Sequence, residues 1–147
     1  MATFTADKGK AGAQPRTVHA GTNTVVSTFM WGVTNADDTT TSATAEAADV
    51  IHMVKLPHKA VVTRVAYVGN RDDGAYSIGT SSGSNVNFDA TVSLSAGITE
   101  ATIGLPYTVS LSDDATVAYE WLNAVVVSAG YTLSDQIQVI VDYVVSN

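Results

Sequence analysis

The chain contains no cysteine, which excludes a disulfide framework and any metal site built on thiolates. It is poor in charge, with Asp, Glu, Lys and Arg at 14% of residues against roughly 25% in an ordinary soluble domain. Ser, Thr, Ala, Gly and Asn take the place of charge, so the surface is expected to be unusually neutral. That composition favours a protein packed into an assembly over one that relies on charge to stay dispersed. No stretch reaches the ~18 apolar residues of a membrane span, and Met1 to Lys10 lacks the apolar run of a signal peptide. The expectation is therefore a protein made in the cytoplasm, with no membrane partner.

Positive charge is missing from half the chain. Residues 1 to 71 hold all seven Lys and Arg with five acids, whereas residues 72 to 147 hold nine acids and no base, for a net charge of −7. Phosphate neutralisation needs clustered Lys or Arg, so nucleic acid is excluded as a partner of the main body. The bases that do cluster, Lys8, Lys10 and Arg16, fall in residues 1 to 22. Gly9, Gly12, Pro15 and Gly21 interrupt that stretch. It reads as an extended basic N-terminal arm ahead of a domain over residues 23 to 147.

Signatures of catalysis are also absent. No Gly-x-Ser-x-Gly elbow stands between a strand and a helix, the geometry that exposes a nucleophile. Lys8-Gly-Lys10 lacks the order of a phosphate loop. His52 and His58 flank a proline corner, but neither they nor His19 have acidic or imidazole ligands at a metal-binding spacing, so they are read as structural histidines. Asp37-Asp38, Asp72-Asp73 and Asp113-Asp114 offer oxygens to calcium, yet fit no EF-hand loop. They are read as turn formers that accept hydrogen bonds from the amides that follow. No enzyme activity, metal or cofactor is expected.

What the chain has in abundance is β-branched side chains: 21 valines and 19 threonines, types that favour strands over helices. Strands are expected over Val25 to Val33, near 49 to 56 and 61 to 69, over Tyr76 to Ile78, and as a hairpin of Tyr107 to Leu111 with Thr116 to Trp121 about Ser112 to Ala115. The segments before and after Pro57 read as two strands of a sheet covered on one face. Pro57 has no N–H and holds Leu56 extended, so one strand must end there. The final strand, 136 to 145, places Ile137, Val139, Val141, Tyr143 and Val145 on one face at period two. Short strands separated by turn signals describe an all-β, antiparallel β-sandwich. Trp31, Tyr119 and Trp121 are candidates for a subunit interface or a sugar-stacking platform. Tyr119 and Trp121 share one strand face with Glu120 opposite.

The succession Asp49-Val-Ile51, Lys55-Leu-Pro57, Ala60-Val-Val62, Leu105-Pro-Tyr107, Asp113-Asp114 and the apolar strand to Tyr143 resembles tailed-bacteriophage head decoration, or cement, proteins over residues 49 to 145. It departs from them at Lys59, where glycine is usual, and at Trp121-Leu-Asn-Ala124, where a cleaner strand follows the Asp pair. The resemblance implies a jelly-roll-like sandwich on the outer face of the capsid. There it would bind the major capsid protein as a homo-oligomer, a trimer for instance, and stabilise the head without catalysis. Lys8, Lys10 and Arg16 would then grip the capsid. A tail- or fibre-associated β-module and a carbohydrate-binding module built on Trp31, Tyr119 and Trp121 are the alternatives.

Overall fold

A computed structural model of the chain describes residues 3–6, 21–32, 46–69, 75–92, 97–101, 103–111, 119–128 and 135–145. Ten strands follow one another: β1 (Thr3–Thr5), β2 (Asn23–Met30), β3 (Val50–Pro57), β4 (Ala60–Gly69), β5 (Ala75–Thr80), β6 (Asp89–Val92), β7 (Thr99–Glu100), β8 (Tyr107–Thr108), β9 (Tyr119–Ser128) and β10 (Gln136–Val145). The described residues include no α-helix; a single 3-10 turn spans Ser81–Gly83. The strands form two sheets, one in the order β1-β3-β9-β5-β6 and the other β2-β10-β4-β7, with β8 also paired to β4. The buried side chains of the two form one apolar core, the arrangement of a β-sandwich.

Period two is cleanest in β10, where Ile137, Val139, Val141, Tyr143 and Val145 are buried and the alternate residues are half-buried. The strand lies between β2 and β4 and pairs with both along almost its whole length. The all-β sandwich expected from composition and periodicity is thus the fold observed.

The Leu56-Pro57 corner separates the two sheets rather than joining neighbours within one. β3 belongs to the first sheet and β4 to the second, and only His58 and Lys59 lie between them. Lys59 takes a left-handed φ of 66°, a conformation that glycine adopts without strain. The corner is held by the segment after β8. Lys59 N–H donates to the Val109 carbonyl at 3.0 Å, Val109 N–H to the Ala60 carbonyl at 2.8 Å, and Leu111 N–H to His58 Nδ1 at 3.1 Å. His58 is therefore an acceptor for backbone.

Three further expectations are corrected. Residues 3 to 6 of the expected arm are a packed element: β1 pairs in parallel with β3, Thr3 opposite Val50 and Thr5 opposite His52, and Phe4 and Ala6 are buried. A single apolar side chain between two threonines is enough pattern for a three-residue edge strand, and it is the one parallel pairing among the described residues. The two strands expected to face each other as a hairpin belong to different sheets: β8 pairs with β4, while β9 lies in the other sheet between β3 and β5. The stretch from Trp121 to Ala124 is not a weakened strand but the middle of the ten-residue β9, a central strand of its sheet.

Hydroxyl and indole groups tie the sheets across the core. Ser27 Oγ donates to the Met53 carbonyl at 2.7 Å, where the register of β3 against β9 shifts between His52 and Val54. Trp31 Nε1 donates to Tyr76 Oη at 2.9 Å, and Tyr67 Oη to Asp89 at 2.5 Å. Each satisfies a polar atom that would otherwise be costly to bury.

The Tyr67 tie gives stability a dependence on alkaline pH. Burial first, and then the hydrogen bond to and the negative charge of Asp89, raise the phenol above its ordinary 10.0. A raised folded-state value favours the neutral phenol, so its contribution is complete below pH 10 and is lost as pH rises beyond it. Urea unfolding on either side of pH 10 is expected to show the stability advantage of the native chain over Tyr67→Phe shrinking on the alkaline side. An advantage independent of pH would show that Tyr67 does not titrate in this way.

Candidate functional site

The outer face of the β1-β3-β9-β5-β6 sheet gathers most of the side chains singled out above. Alternation along β9 sends Glu120, Leu122 and Ala124 into the sandwich, all buried, and leaves Tyr119, Trp121 and Val125 partly exposed on the other side. Register then decides their neighbours, because Lys55 of β3 lies opposite Trp121, and Val50 opposite Val125.

The aromatic rings are locked together. The His52 imidazole stacks on Trp121 with centroids 4.2 Å apart and planes 16° from parallel, and Tyr119 meets Trp121 edge to face at 5.1 Å. Lys55 Nζ stands 4.6 Å from the Tyr119 ring centroid and 5.5 Å from that of Trp121, within the range of cation–π attraction. His52 is fixed from behind. Asn123 Nδ2 donates to Asn85 Oδ1 at 2.8 Å, leaving Asn123 Oδ1 to accept from His52 Nδ1 at 2.8 Å.

The loop carrying Asn85 can lie against the sheet because Gly79 has no side chain. A Cβ there would stand 2.5 Å from the Asn85 carbonyl carbon and the Val86 nitrogen. Val86, 42% exposed, is thereby brought to the rim of the face.

Trp31 does not belong to this face, which corrects its place among the candidates. It is fully buried and packs edge-on against Phe4 at 5.3 Å and Phe29 at 5.1 Å. Trp31 continues the alternation of β2 beyond Phe29 into the core, and Trp31 N–H donates to the Asp135 carbonyl at 2.9 Å. A sugar platform needs an open ring face. With His52 covering one side of Trp121 and Trp31 in the core, the three residues do not assemble one.

Glu120, the carboxylate behind Tyr119 and Trp121, is only 5% exposed and is saturated by donors. Ser82 N–H donates to it at 2.9 Å, Ser82 Oγ also donates, and Tyr107 Oη reaches its two oxygens at 3.1 and 2.9 Å. Since Tyr107 sits on β8 and Glu120 on β9, the cluster joins the two sheets at one end of the sandwich. With no basic residue in the cluster, its geometry is that of a structural tie. No local pattern marks it, because the three residues are brought together by topology alone.

Lys8, Lys10, Arg16, His19 and the three Asp pairs lie outside the described residues. Among the described residues no group of three His, Asp or Glu is placed to hold a metal. The outer face of the other sheet differs in character. There Arg64 pairs with Glu100 at 2.6 Å and reaches Asp142 at 3.8 Å, and Thr24 donates to Asp142 at 2.7 Å. These are exposed ion pairs that contribute little to stability.

No protein-family model matches the chain, and no curated protein matches it. Two chains in solved phage capsids share its fold. One belongs to the capsid of Ralstonia phage GP4, with a TM-score of 0.70 and 14% identity over 99% of each chain. The other belongs to the cyanophage Pam1 capsid asymmetric unit, with a TM-score of 0.61 and 18% identity over 93% of this chain and 98% of that one. At these identities the likeness is one of fold, and it runs from end to end of all three chains.

Proposed function

We propose that the chain is a structural virion protein of a bacteriophage that binds the outer surface of the capsid and stabilises the head, without catalysis. The observation that carries this reading is the end-to-end likeness to two phage-capsid chains. Both are matched over nearly their whole length, so the likeness takes in the whole sandwich of each. The scarcity of charge supports an assembled state, and many copies on a lattice need only a modest interface each. Lys8, Lys10 and Arg16 are assigned to an acidic patch of the capsid, and the sandwich to the shell and to neighbouring copies.

The test is an electron cryomicroscopy map of the particle whose genome encodes the chain, with mass spectrometry of the purified virions. Density for the sandwich on the outside of the head, in fixed proportion to shell subunits, is the expected result. Absence from purified virions would overturn the reading, and density at the tail vertex alone would replace it with the tail-associated one.

A further inference from the structure

We propose, independently of the capsid-binding reading, that the corner between the two sheets is an acid-released latch: the neutral His58 imidazole holds Leu111, and its protonation frees the chain beyond Val109.

The chemistry follows from which atom accepts. Leu111 N–H donates to His58 Nδ1 at 3.1 Å, so the neutral ring carries its proton on Nε2. An imidazolium has a proton on both nitrogens and accepts at neither. Protonation therefore sets a second donor against the Leu111 N–H, and the bond is lost with its acceptor. Histidine is the side chain that changes charge between about pH 5 and 8, which is the range in which such a latch acts.

Two neighbouring bonds set how far the release runs. Lys59 N–H donates to the Val109 carbonyl and Val109 N–H to the Ala60 carbonyl. Backbone groups do not titrate, so the segment stays on the corner through Val109. Leu111 lies beyond them, half-buried, with its side chain against the margin of the core. The chain that continues from it leads to β9 in the other sheet, so the latch closes where the connection from β8 to β9 begins. Backbone strain favours its opening. Lys59 holds a left-handed φ of 66°, a conformation that persists in a residue with a Cβ only where its surroundings enforce it.

Most of the charge around the corner is engaged elsewhere. Lys59 stands beside His58 on the turn and is exposed. From β3, Lys55 is turned to the Tyr119 and Trp121 rings. From β9, Tyr119 lies opposite Pro57, and Glu120 is taken by Ser82 and by Tyr107 of β8. Among the described residues no carboxylate bonds to the His58 imidazole. Asp113 and Asp114 follow Leu111 by two and three residues in the sequence and lie outside the described residues, so their charge is removed in one arm of the test.

Amide hydrogen exchange followed by NMR reads the latch residue by residue, as protection relative to the unstructured rate at each pH. Between about pH 8 and pH 5, Leu111 is expected to lose roughly 10-fold in protection, the equilibrium value of one hydrogen bond, while Val109 stays within about twofold. In His58→Asn an amide oxygen that does not titrate replaces Nδ1, and Leu111 is expected to be equally protected at both pH values. His19 and His52 remain in that variant and control for their own titration. Asp113→Asn/Asp114→Asn is expected to keep the native response.

Protection of Leu111 that does not change with pH in the native chain would overturn the latch. So would an acid loss that persists in His58→Asn or vanishes in the Asp113/Asp114 variant. Proton–nitrogen correlation spectra of the native imidazoles decide the matter without any variant, because a neutral His58 protonated on Nδ1 could not accept from Leu111 and would overturn the proposal.

Discussion

Trp31→Ala is expected to destabilise the protein by about 4 kcal/mol, as full truncation of a buried Trp does, and to lower Tm by roughly 10 °C. The indole is fully buried between Phe4 of β1 and Phe29 of β2, and its Nε1 donates to Tyr76 of the opposite sheet. Truncation leaves a cavity where the two sheets and the first strand meet, and it removes one of the ties between sheets. Phe4 loses its edge contact as well, so β1 should loosen from β3. Urea unfolding gives the loss, and hydrogen exchange at Thr5 and Ala6 reports the first strand separately. If Trp31→Ala unfolded like the native chain, the burial described for Trp31 would be wrong. Trp121→Ala should cost much less, because that side chain is only partly buried.

Gly104→Ala is the second large effect, at about 3 kcal/mol, for two reasons that can be separated. Gly104 takes φ +73°, and a Cβ there would stand 2.0 Å from the Asn87 carbonyl oxygen and 3.2 Å from Phe88 Cδ1. Backbone must move to admit it. Gly21 provides the control. Its φ is +84° but a Cβ would meet nothing within 4 Å, so Gly21→Ala carries only the left-handed penalty, about 1 kcal/mol. Thermal unfolding of the two variants side by side measures the clash as their difference. Equal losses would mean that the loop around Asn87 does not lie against Gly104.

The sequence marks Gly21 only as an interruption of the N-terminal stretch and does not mark Gly104 at all, and the reason is general to this chain. Alternation reports which side of a strand is buried, because burial of a half-covered strand has period two, and β10 and the Tyr119–Trp121 face of β9 were legible for that reason. The close approach of Asn87 to Gly104 joins two loops far from each other in local pattern, and nothing near Gly104 encodes it. The same holds for Lys55, whose neighbours Tyr119 and Trp121 follow from the register of β3 against β9, and for Ser82, Tyr107 and Glu120.

Where expectations failed, non-local pairing had overridden a local signal. Ser112 to Ala115 carries turn residues, yet the strands on either side join different sheets. Trp31 sits two residues after the buried Phe29 and continues its alternation into the core, so an aromatic tallied as a surface candidate is a core residue. Phe4 lay within a basic, glycine-rich stretch, where one apolar residue is a weak signal. Its burial depends on an open edge of β3 and on Phe29 and Trp31 being there to receive it.

By itself, then, the sequence determined the class of fold, the positions of β2, β3, β4 and β10 and the Leu56-Pro57 break, because β-branching, period two and the missing proline N–H act within a few residues. It also determined the scarcity and lopsidedness of charge. Only the tertiary structure decided that the break passes the chain from one sheet to the other, that Trp31 is core and Trp121 surface, and that Tyr119, Trp121 and His52 meet on one outer face. Those outcomes rest on which strands pair and in what register, and pairing is set by burial summed over both sheets rather than by any one segment.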